Sequence, residues 1–254
     1  MARKLWKGLA IALMWPVMPG WPDEGRKLIQ SPLLADWLVH VMATSTSRRR
    51  VLNAGAGEGL FSSLLLGLRG VHEVMELDVS YASSPRFVSD PRQHSVAGSL
   101  TALPFADASF HLVLCSEVLE HIEDDESALD ELRRVLVPGG WLLITVPTPP
   151  AIFDPDHVRE GYDPVELKKK LGARGLETIE IGFCMYGAFK LMMRAWRRFP
   201  WLPRVAIWAL ALADRFLSPG SPMDLLMLSR RHIEETRLYP ALTTLAETCA
   251  SESQ

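Results

Sequence analysis

The most informative segment of the chain is Val51-Leu52-Asn53-Ala54-Gly55-Ala56-Gly57-Glu58-Gly59-Leu60-Phe61. Its apolar start predicts a buried strand, its G-x-G-x-G spacing predicts a tight turn, and the apolar residues that follow predict a helix over 60–68. Glycines allow the main chain to approach a ligand closely, and the amides at the start of a helix favour an anionic group. A purely structural strand–helix turn would carry the same glycines, so this segment alone does not identify a ligand.

An acidic residue follows at the position expected of a ribose ligand. The apolar run Val71–Leu77 predicts a second strand, and Asp78 ends that strand about twenty residues beyond the glycines. In a parallel sheet the carboxyl ends of neighbouring strands lie side by side, so the turn and the acid would meet. Together they predict a site for an adenosine-containing cofactor, and the structural alternative is that Asp78 caps the segment after it.

Strands and helices continue to alternate along the chain. Apolar runs predict strands at 93–97, 111–115, 141–146, 176–183 and 224–228, and periodic or capped stretches predict helices at 24–44, 124–136 and 165–171. This alternation indicates parallel βαβ units and hence a doubly wound, Rossmann-like α/β sheet. We divide the chain into an N-terminal lead and helix (1–48), a core (49–184), a helical insertion (185–220), a last core strand (221–231) and a C-terminal tail (232–254).

Composition limits the class of protein. Apolar residues make up 48% of the chain and charged residues 22%, as in an ordinary folded domain, and a net charge of -3 gives no general attraction to nucleic acid. The cysteines Cys115, Cys184 and Cys249 lack any C-x-x-C spacing, so we expect neither a disulfide framework nor a metal site. Their number and positions fit a reducing compartment.

The N-terminal segment is similar to a signal peptide only superficially. Lys4 and Lys7 precede a short apolar stretch over 9–14, but Pro16 and Pro19 interrupt the segment and no small-residue cleavage site follows. No segment reaches the roughly 18 apolar residues that a membrane-spanning helix needs. We therefore expect a cytoplasmic protein, with a peripheral position at the inner face of the membrane as an option.

Three further segments complete a pattern that resembles a known family. They are Gly98–Phe105, Val113–Ile122 and Leu132–Ile144, and they follow the glycine turn and Asp78 in order. From about residue 50 to 147 the chain resembles the class I S-adenosylmethionine (SAM)-dependent methyltransferases, in particular the small-molecule group that includes quinone-biosynthesis enzymes. The resemblance implies a mostly parallel seven-stranded sheet with an antiparallel last strand, SAM as cofactor, and methyl transfer to a small-molecule or lipid-linked acceptor.

The resemblance also implies which residues bind the cofactor. The loop after the third strand contacts adenine in such enzymes, and the end of the fourth strand lies near the methionine part. A Pro-Gly-Gly turn at 138–140 would reverse the chain into the fifth strand. The predicted cofactor-binding residues are Asn53, Gly55, Ala56, Gly57, Gly59, Asp78, Ser99, Leu100, Cys115 and Ser116.

Two of these residues depart from the family pattern. Asn53 stands where the family usually has an acid, and Ser99 stands where an Asp commonly accepts from the adenine amino group. Both side chains still offer an oxygen acceptor, although neither carries a charge. The substitutions leave open a non-catalytic protein that retains the SAM fold.

Catalysis needs a base only if the acceptor must lose a proton, because the sulfonium methyl of SAM is already activated. His121 is the first candidate for this role, followed by His157 and Glu120. The structural alternative for His121 is pairing with the acids at 124 and 125, one turn further along.

Residues 186–217 have a different character because cationic and aromatic residues are mixed along them. Such a mixture suits a segment that lies on an anionic membrane surface, to which Trp6, Trp15 and Trp21 could add. It suits a helical lid over the active site equally well. The two interpretations combine in a lid that admits a lipid-like acceptor from the membrane.

Other classes of function remain as alternatives. A nicotinamide-dependent oxidoreductase would also use a glycine turn and Asp78, but its usual spacing is G-x-G-x-x-G, and here the third glycine comes one residue early. We expect no nucleic-acid partner, because the core lacks a basic face and the Asn/Asp-Pro-Pro-aromatic motif of amino-methylating enzymes is absent after Cys115.

Overall fold

The computed structural model describes residues 22–43, 48–82, 90–151, 154–217 and 220–233. The predicted N-terminal lead with its three tryptophans, Cys249 and nearly all of the predicted tail lie outside the described residues.

Helices and strands alternate as the sequence predicts. The helices are α1 (Pro22–Met42), α2 (Ser62–Gly67), α3 (Asp125–Val135), α4 (Pro164–Gly172), α5 (Gly187–Arg198) and α6 (Arg204–Leu217). The strands are β1 (Arg49–Ala54), β2 (Val71–Asp78), β3 (Gln93–Ala97), β4 (Phe110–Ser116), β5 (Leu136–Pro147), β6 (Leu176–Cys184) and β7 (Asp224–Arg231). Short 3-10 turns follow β2 and β4, at Val79–Ala82 and Leu119–His121.

The seven strands form one sheet in the order β3-β2-β1-β4-β5-β7-β6. Strands β1 to β5 pair in parallel, and β7 runs antiparallel between β5 and β6. This confirms the predicted doubly wound sheet with an antiparallel last strand. The strand order reverses between β1 and β4, and such a reversal opens a crevice at the carboxyl ends of the strands, where ligands bind.

Both faces of the sheet are buried, which explains the nearly continuous apolar runs in the sequence. In β4, Leu112 and Leu114 join one core cluster, and the intervening Val113 and Cys115 join the cluster on the opposite face. This alternation follows from the two-residue repeat of a strand. One cluster includes residues of α3 and α4, and the other includes residues of α1, α5 and α6.

The predicted helical insertion packs against the N-terminal helix. Asp214 of α6 is fully buried, and its carboxylate accepts hydrogen bonds from the amides of Tyr186 and Phe189 at 2.7 and 2.8 Å. It thereby satisfies donors at the start of α5 that have no partner within that helix. Arg204 at the start of α6 pairs with Glu24 of α1 at 2.9 Å. These contacts hold α1, α5 and α6 together beside the carboxyl ends of the strands.

The prediction of a Pro-Gly-Gly turn before the fifth strand is wrong. Helix α3 ends at Val135, and β5 is already extended from Leu136 onwards, so Pro138 to Gly140 lie inside the strand. Pairing with β4 shifts register across this segment, and Gly139 has a φ of +76°. Proline and glycine thus mark an irregularity within a strand, where they do not reverse the chain.

No helix in the described parts of the chain has both the length and the apolar character that crossing a bilayer requires.

Candidate active site

The glycine turn follows β1 at the point where the strand order reverses. Gly55, Gly57 and Gly59 all have left-handed backbone conformations, with φ of +72°, +48° and +73°, which only glycine adopts without strain. A Cβ atom on Gly55 would lie 2.3 Å from a methyl group of Val118, whereas one on Gly57 would meet no atom within 4 Å. Packing therefore requires glycine at 55, and the turn at Gly57 borders open space.

Asp78 points directly at this turn. Its carboxylate accepts a hydrogen bond from the Gly57 amide at 2.8 Å and from the amide and hydroxyl of Ser80 at 2.9 and 2.7 Å. The Tyr81 hydroxyl donates to the Gly57 carbonyl at 2.6 Å. Burial, followed by the charge of Asp78, raises the pKa of Tyr81 to about 12, which keeps it a donor at neutral pH. Turn and acid form one hydrogen-bonded unit.

This unit fits an adenosyl amino acid. The open space at Gly57 leaves room for a ligand against bare main chain. An ionised carboxylate has about four acceptor positions, and the three contacts of Asp78 leave capacity for a ribose hydroxyl. That Asp78 binds ribose stays a prediction, but the structure places the acid where that role requires it.

Three predicted cofactor residues are largely buried. Leu100 and Cys115 pack in the core, and Asn53 is also inaccessible. Burial raises the pKa of the Cys115 thiol well above its usual range, so this cysteine stays protonated. A cofactor would meet chiefly the main-chain atoms of Leu100 and Cys115, because their side chains are occupied in the core.

The two predicted serines are more accessible. Ser99 is exposed, and its hydroxyl lies 2.8 Å from the Thr101 hydroxyl. Ser116 ends β4, and its hydroxyl lies 2.7 Å from the Thr145 hydroxyl on β5. Both remain available to a ligand at the carboxyl ends of the strands, and their roles stay predictions.

A cavity of about 370 Å³ opens next to the glycine turn. It is adjacent because Val118 contacts Gly55 while the preceding residue, Glu117, lines the cavity. Its wall combines acids, histidines and Arg26 from the strand ends, the loops and α1 with apolar residues and Arg197 of α5. The lining residues are Pro22, Asp23, Arg26, Glu117, Glu120, His121, Pro147, Ala151, Asp154, His157, Met185, Phe189, Met193, Trp196, Arg197, Met223 and Asp224.

Two carboxyl groups of the cavity are held by hydrogen bonds. Glu117 accepts from the Thr145 hydroxyl at 2.9 Å, and its other oxygen lies 3.7 Å from the Arg26 guanidinium. Asp224, at the start of β7, accepts from the Gln30 amide at 2.8 Å. Helix α1 therefore holds both carboxyl groups, through Arg26 in the cavity wall and through Gln30 behind it.

Burial has the largest effect on the pKa values of the charged residues in this cavity. Burial, followed by Glu117, raises the pKa of Glu120 to about 9 and raises the pKa of Asp224 as well. Burial alone would lower the pKa of Arg26, but the surrounding carboxyls outweigh it and raise that pKa. The cavity lining holds five acids and two arginines, so the cavity favours a bound cation or a hydrogen-bond donor.

The three residues predicted as catalytic meet in this cavity. The His121 and His157 rings lie 4.6 Å apart in an edge-to-face arrangement, and His121 Nε2 is 3.9 Å from a Glu120 oxygen. Burial, followed by His121, lowers the pKa of His157, so its ring is neutral at pH 7. The proposed pairing of His121 with the acids at 124 and 125 is not seen.

Those two acids have other partners. Asp124 caps α3 by accepting from Ser127 at 3.0 Å. Asp125 accepts from Tyr162 and Lys170, each at 2.8 Å. Pairing with His121 was a sequence alternative, and the partners of both acids explain why it does not occur.

Two residues of the cavity have strained backbones. Glu117 and Met185 have φ of +54° and +56°, in the left-handed region that residues other than glycine seldom adopt. Both line the cavity. Strain of this kind persists where the surroundings enforce it, and it is concentrated at functional sites.

Sequence reasoning missed part of the cavity. Arg26, which lines the cavity, and Gln30, which binds Asp224, lie in α1, which precedes the matched motifs and carries no site signature. Asp224 did leave a signal, because an acid directly before the buried residues Leu225 and Leu226 is unusual for a core strand.

Comparison with known proteins shows which family has a similar sequence and fold. Residues 52–144 match a family described as a methyltransferase domain. A Mycolicibacterium smegmatis protein described as a probable S-adenosylmethionine-dependent methyltransferase is 30% identical over 182 residues, covering 67% of each chain. A demethylmenaquinone methyltransferase of Clavibacter sepedonicus is 39% identical over 119 residues, which span 45% of this chain and 46% of that relative. An S-adenosylmethionine-dependent methyltransferase structure from Mesorhizobium loti shares the fold, with a TM-score of 0.52 at 21% identity over 78% of this chain and 98% of that one.

A doubly wound sheet with an adenosyl-type site at its strand reversal defines an α/β protein that uses a nucleoside-containing cofactor. The chain belongs to the class I SAM-dependent methyltransferases. SAM is its cofactor, and methyl transfer is its reaction class. The nicotinamide-dependent and non-catalytic alternatives are accordingly set aside.

Proposed function

We propose that this methyltransferase acts on a small, lipid-linked acceptor that enters the cavity from an anionic membrane surface. The proposal rests on one observation: the α5–α6 pair lines the cavity on one side and exposes apolar residues on the other. Phe189, Met193 and Trp196 of α5 line the cavity, while much of the outer surface of the pair is apolar and exposed. The relative named as a demethylmenaquinone methyltransferase supports an acceptor of this kind.

The outer surface is organised as a stripe. Val205, Trp208, Leu212 and Phe216 recur at three- and four-residue spacing along α6, and all four are exposed. Residues at this spacing share one face of a helix. A row of exposed apolar residues of this kind indicates a surface that a membrane or a protein partner covers.

Exposed basic residues lie on both helices of the α5–α6 pair. Arg215 lies over the Phe216 ring, with 5.9 Å between its guanidinium carbon and the ring centroid, and Arg198 lies over Phe199 in the same way at 5.6 Å. Arg194 is a further exposed cation on α5. Arginine beside aromatic side chains suits the headgroup region of an anionic bilayer. This surface supports a peripheral position at the inner face of the membrane.

A second cavity, of about 340 Å³, lies between α1 and α6. Leu28, Trp208 and Leu212 contribute apolar walls, and Arg215 is its cationic member. An apolar groove with one guanidinium suits a hydrocarbon chain that ends in an acidic or phosphate group.

The residues of the chain supply positioning, because SAM when bound supplies a methyl carbon already activated by sulfur. The glycine turn and Asp78 would hold the amino-acid and ribose ends. Glu120, His121 and His157 would orient the acceptor, and α1 with α5 would exclude water from the cavity. These roles are part of the proposal.

Calorimetric titration tests the cofactor site. We expect heat on addition of SAM and none on addition of NAD, because the turn and the downstream motifs suit SAM. The Asp78→Ala variant should bind SAM more weakly and Asp78→Asn should lie between it and wild type, since Asn keeps an acceptor for the Gly57 amide. No heat at millimolar SAM would contradict the proposal.

Flotation with liposomes tests the membrane surface. We expect binding to vesicles with anionic lipid that weakens as salt is raised, because basic residues contribute to it. Trp208→Ser with Leu212→Ser should reduce binding several-fold. Val165→Ser is the control, because Val165 is an exposed apolar residue on α4, away from the stripe. Equal binding by all three proteins, or binding that salt does not affect, would exclude this surface.

Methyl transfer from labelled SAM to a cell extract then tests the acceptor. We expect the label in the organic-solvent fraction. Label confined to water-soluble products would refute a lipid-linked acceptor and leave the SAM site intact.

A further inference from the structure

Three metal-ligating side chains converge inside the acceptor cavity. The ligand atoms of Glu120, His121 and His157 all lie within 4.8 Å of one another. Glu120 is 0% exposed, and neither of its carboxylate oxygens has a hydrogen-bond partner in the described parts of the chain. Burying a carboxyl group without a hydrogen-bond partner is costly. The described residues supply no such partner to Glu120, so we expect one that is not part of the chain.

The tautomer of His121 sharpens this observation. Its Nδ1 lies 3.0 Å from the Asp156 carbonyl oxygen, which can only accept, so Nδ1 must carry the proton. In the neutral ring the other nitrogen, Nε2, is then an acceptor, and it faces a Glu120 oxygen at 3.9 Å. Two acceptors that face each other need a cation between them, either a proton or a metal ion. A carbonyl that fixes the distal nitrogen is also the usual support for a metal-binding histidine.

Hydrogen bonds to two main-chain carbonyls hold the two ligand-bearing segments together. The Val158 amide donates to the Glu120 carbonyl at 2.9 Å, and Arg159 donates to the Ile122 carbonyl at 2.7 Å. These bonds place His157 opposite His121 although the two lie far apart in sequence. The ligand set therefore rests on a fixed scaffold, as metal sites require.

We propose that Glu120, His121 and His157 bind a divalent transition-metal ion of the Zn²⁺ type. Two imidazoles and one carboxylate form the ligand set of catalytic zinc sites, whereas Mg²⁺ and Ca²⁺ prefer oxygen ligands alone. Metal–ligand bonds of about 2.0–2.2 Å bring donor atoms within roughly 3–3.5 Å of each other, so small side-chain rotations close the site.

The remaining coordination positions face the cavity, and the ion would there bind an oxygen atom of the methyl acceptor. This last point rests on the proposed function, but metal binding itself does not. The cysteine spacing gave no hint of such a site, because its ligands are acid and imidazole groups from two separate segments.

The test uses the untagged full chain, stripped with a chelator and titrated with Zn²⁺ in competition with a chromophoric indicator. We expect one Zn²⁺ per chain, and at least a tenfold loss of affinity in Glu120→Gln, His121→Ala and His157→Ala. His94→Ala is the matched control because His94 is an exposed histidine on β3, and it should bind Zn²⁺ like wild type. Co²⁺ in place of Zn²⁺ should give a visible spectrum that the three variants lose.

SAM titration of the same metal-free proteins separates the two proposals. SAM binding without stoichiometric Zn²⁺ binding overturns the metal site and leaves the methyltransferase assignment standing. Equal Zn²⁺ affinity in wild type and all three variants overturns it too. If Glu120→Gln fails to fold and so to bind SAM, His157→Ala decides the matter, because His157 is only partly buried.

Discussion

Replacing Gly55 and Gly57 one at a time by alanine should separate the stability of the turn from its ability to bind SAM. Both residues have left-handed backbones, and alanine there costs about 1–2 kcal/mol. At Gly55 the new methyl group would also lie 2.3 and 2.8 Å from the two methyl groups of Val118. Overpacking of this kind adds about 1–3 kcal/mol, so Gly55→Ala should lower the free energy of unfolding by about 2–5 kcal/mol.

Gly57→Ala should behave differently. Nothing lies within 4 Å of its added methyl group, so only the backbone cost of about 1–2 kcal/mol applies to folding. The same methyl group would enter the space assigned to the cofactor. We therefore expect a loss of SAM affinity of about tenfold or more, which corresponds to at least about 1.4 kcal/mol.

Urea denaturation and calorimetric SAM titration measure the two quantities. The double variant Gly55→Ala with Val118→Ala should be more stable than the sum of its single effects by about 1–2 kcal/mol, because the clashing methyl groups are gone. Additive effects would show that the Val118 contact is not the cause. Wild-type SAM affinity in Gly57→Ala would refute the placement of the cofactor against this turn.

Three further substitutions test other parts of the structure. Asp78→Ala should weaken SAM binding by about 1–3 kcal/mol, as expected for lost hydrogen bonds to a charged group, and unchanged affinity in calorimetry would exclude this acid as a ligand. Asp125→Asn should lower the free energy of unfolding by about 2–4 kcal/mol, because it removes the buried partner of Lys170 and Tyr162. Burial opposes ionisation of Asp125, but Lys170 and Tyr162 outweigh it and lower its pKa, so its contribution is full above about pH 4 and disappears as pH falls through the folded pKa. Urea titrations of wild type and Asp125→Asn should therefore converge in acid, and a difference independent of pH would contradict this role. Asp214→Ala should cost about 1–3 kcal/mol, because two buried amides at the start of α5 lose their acceptor, and a denaturation midpoint equal to that of wild type would show that the cap is dispensable.

Most of the fold could be predicted because its signals are local. Apolar runs mark the strands, so β3 was predicted with the bounds that the structure gives, and β2 and β4 to within one residue. The predicted start of β5 was five residues too late, because Pro138 and Gly139 are residue types typical of turns. Only Leu136 pairs with β4 ahead of this segment, and residues 137–140 have no partner there before pairing resumes at Trp141.

The candidate site was predictable in part for the same reason. The glycine turn and Asp78 belong to consecutive βα units, so their meeting follows from strand order alone. Glu120, His121 and His157 were chosen for their chemistry, and no sequence pattern showed that hydrogen bonds from residues 158 and 159 would bring the last of them to the other two. Arg26 reaches Glu117 only because α1 packs against α5 and α6, which is a tertiary contact with no local signature.

Glu117 and Val118 explain why the cofactor turn and the acceptor cavity are neighbours. Val118 packs against Gly55 of the glycine turn, whereas Glu117 lines the cavity that we assign to the acceptor. Consecutive side chains can serve two sites here because the left-handed backbone of Glu117 turns the chain sharply just after β4. The strain is held by two bonds to one residue: the Glu117 amide donates to the Thr145 carbonyl at 2.9 Å, and its carboxylate accepts from the Thr145 hydroxyl at the same distance. In the function that we propose, this dipeptide separates the SAM site from the acceptor site, and the backbone of Glu117 would help to set the alignment that in-line transfer requires.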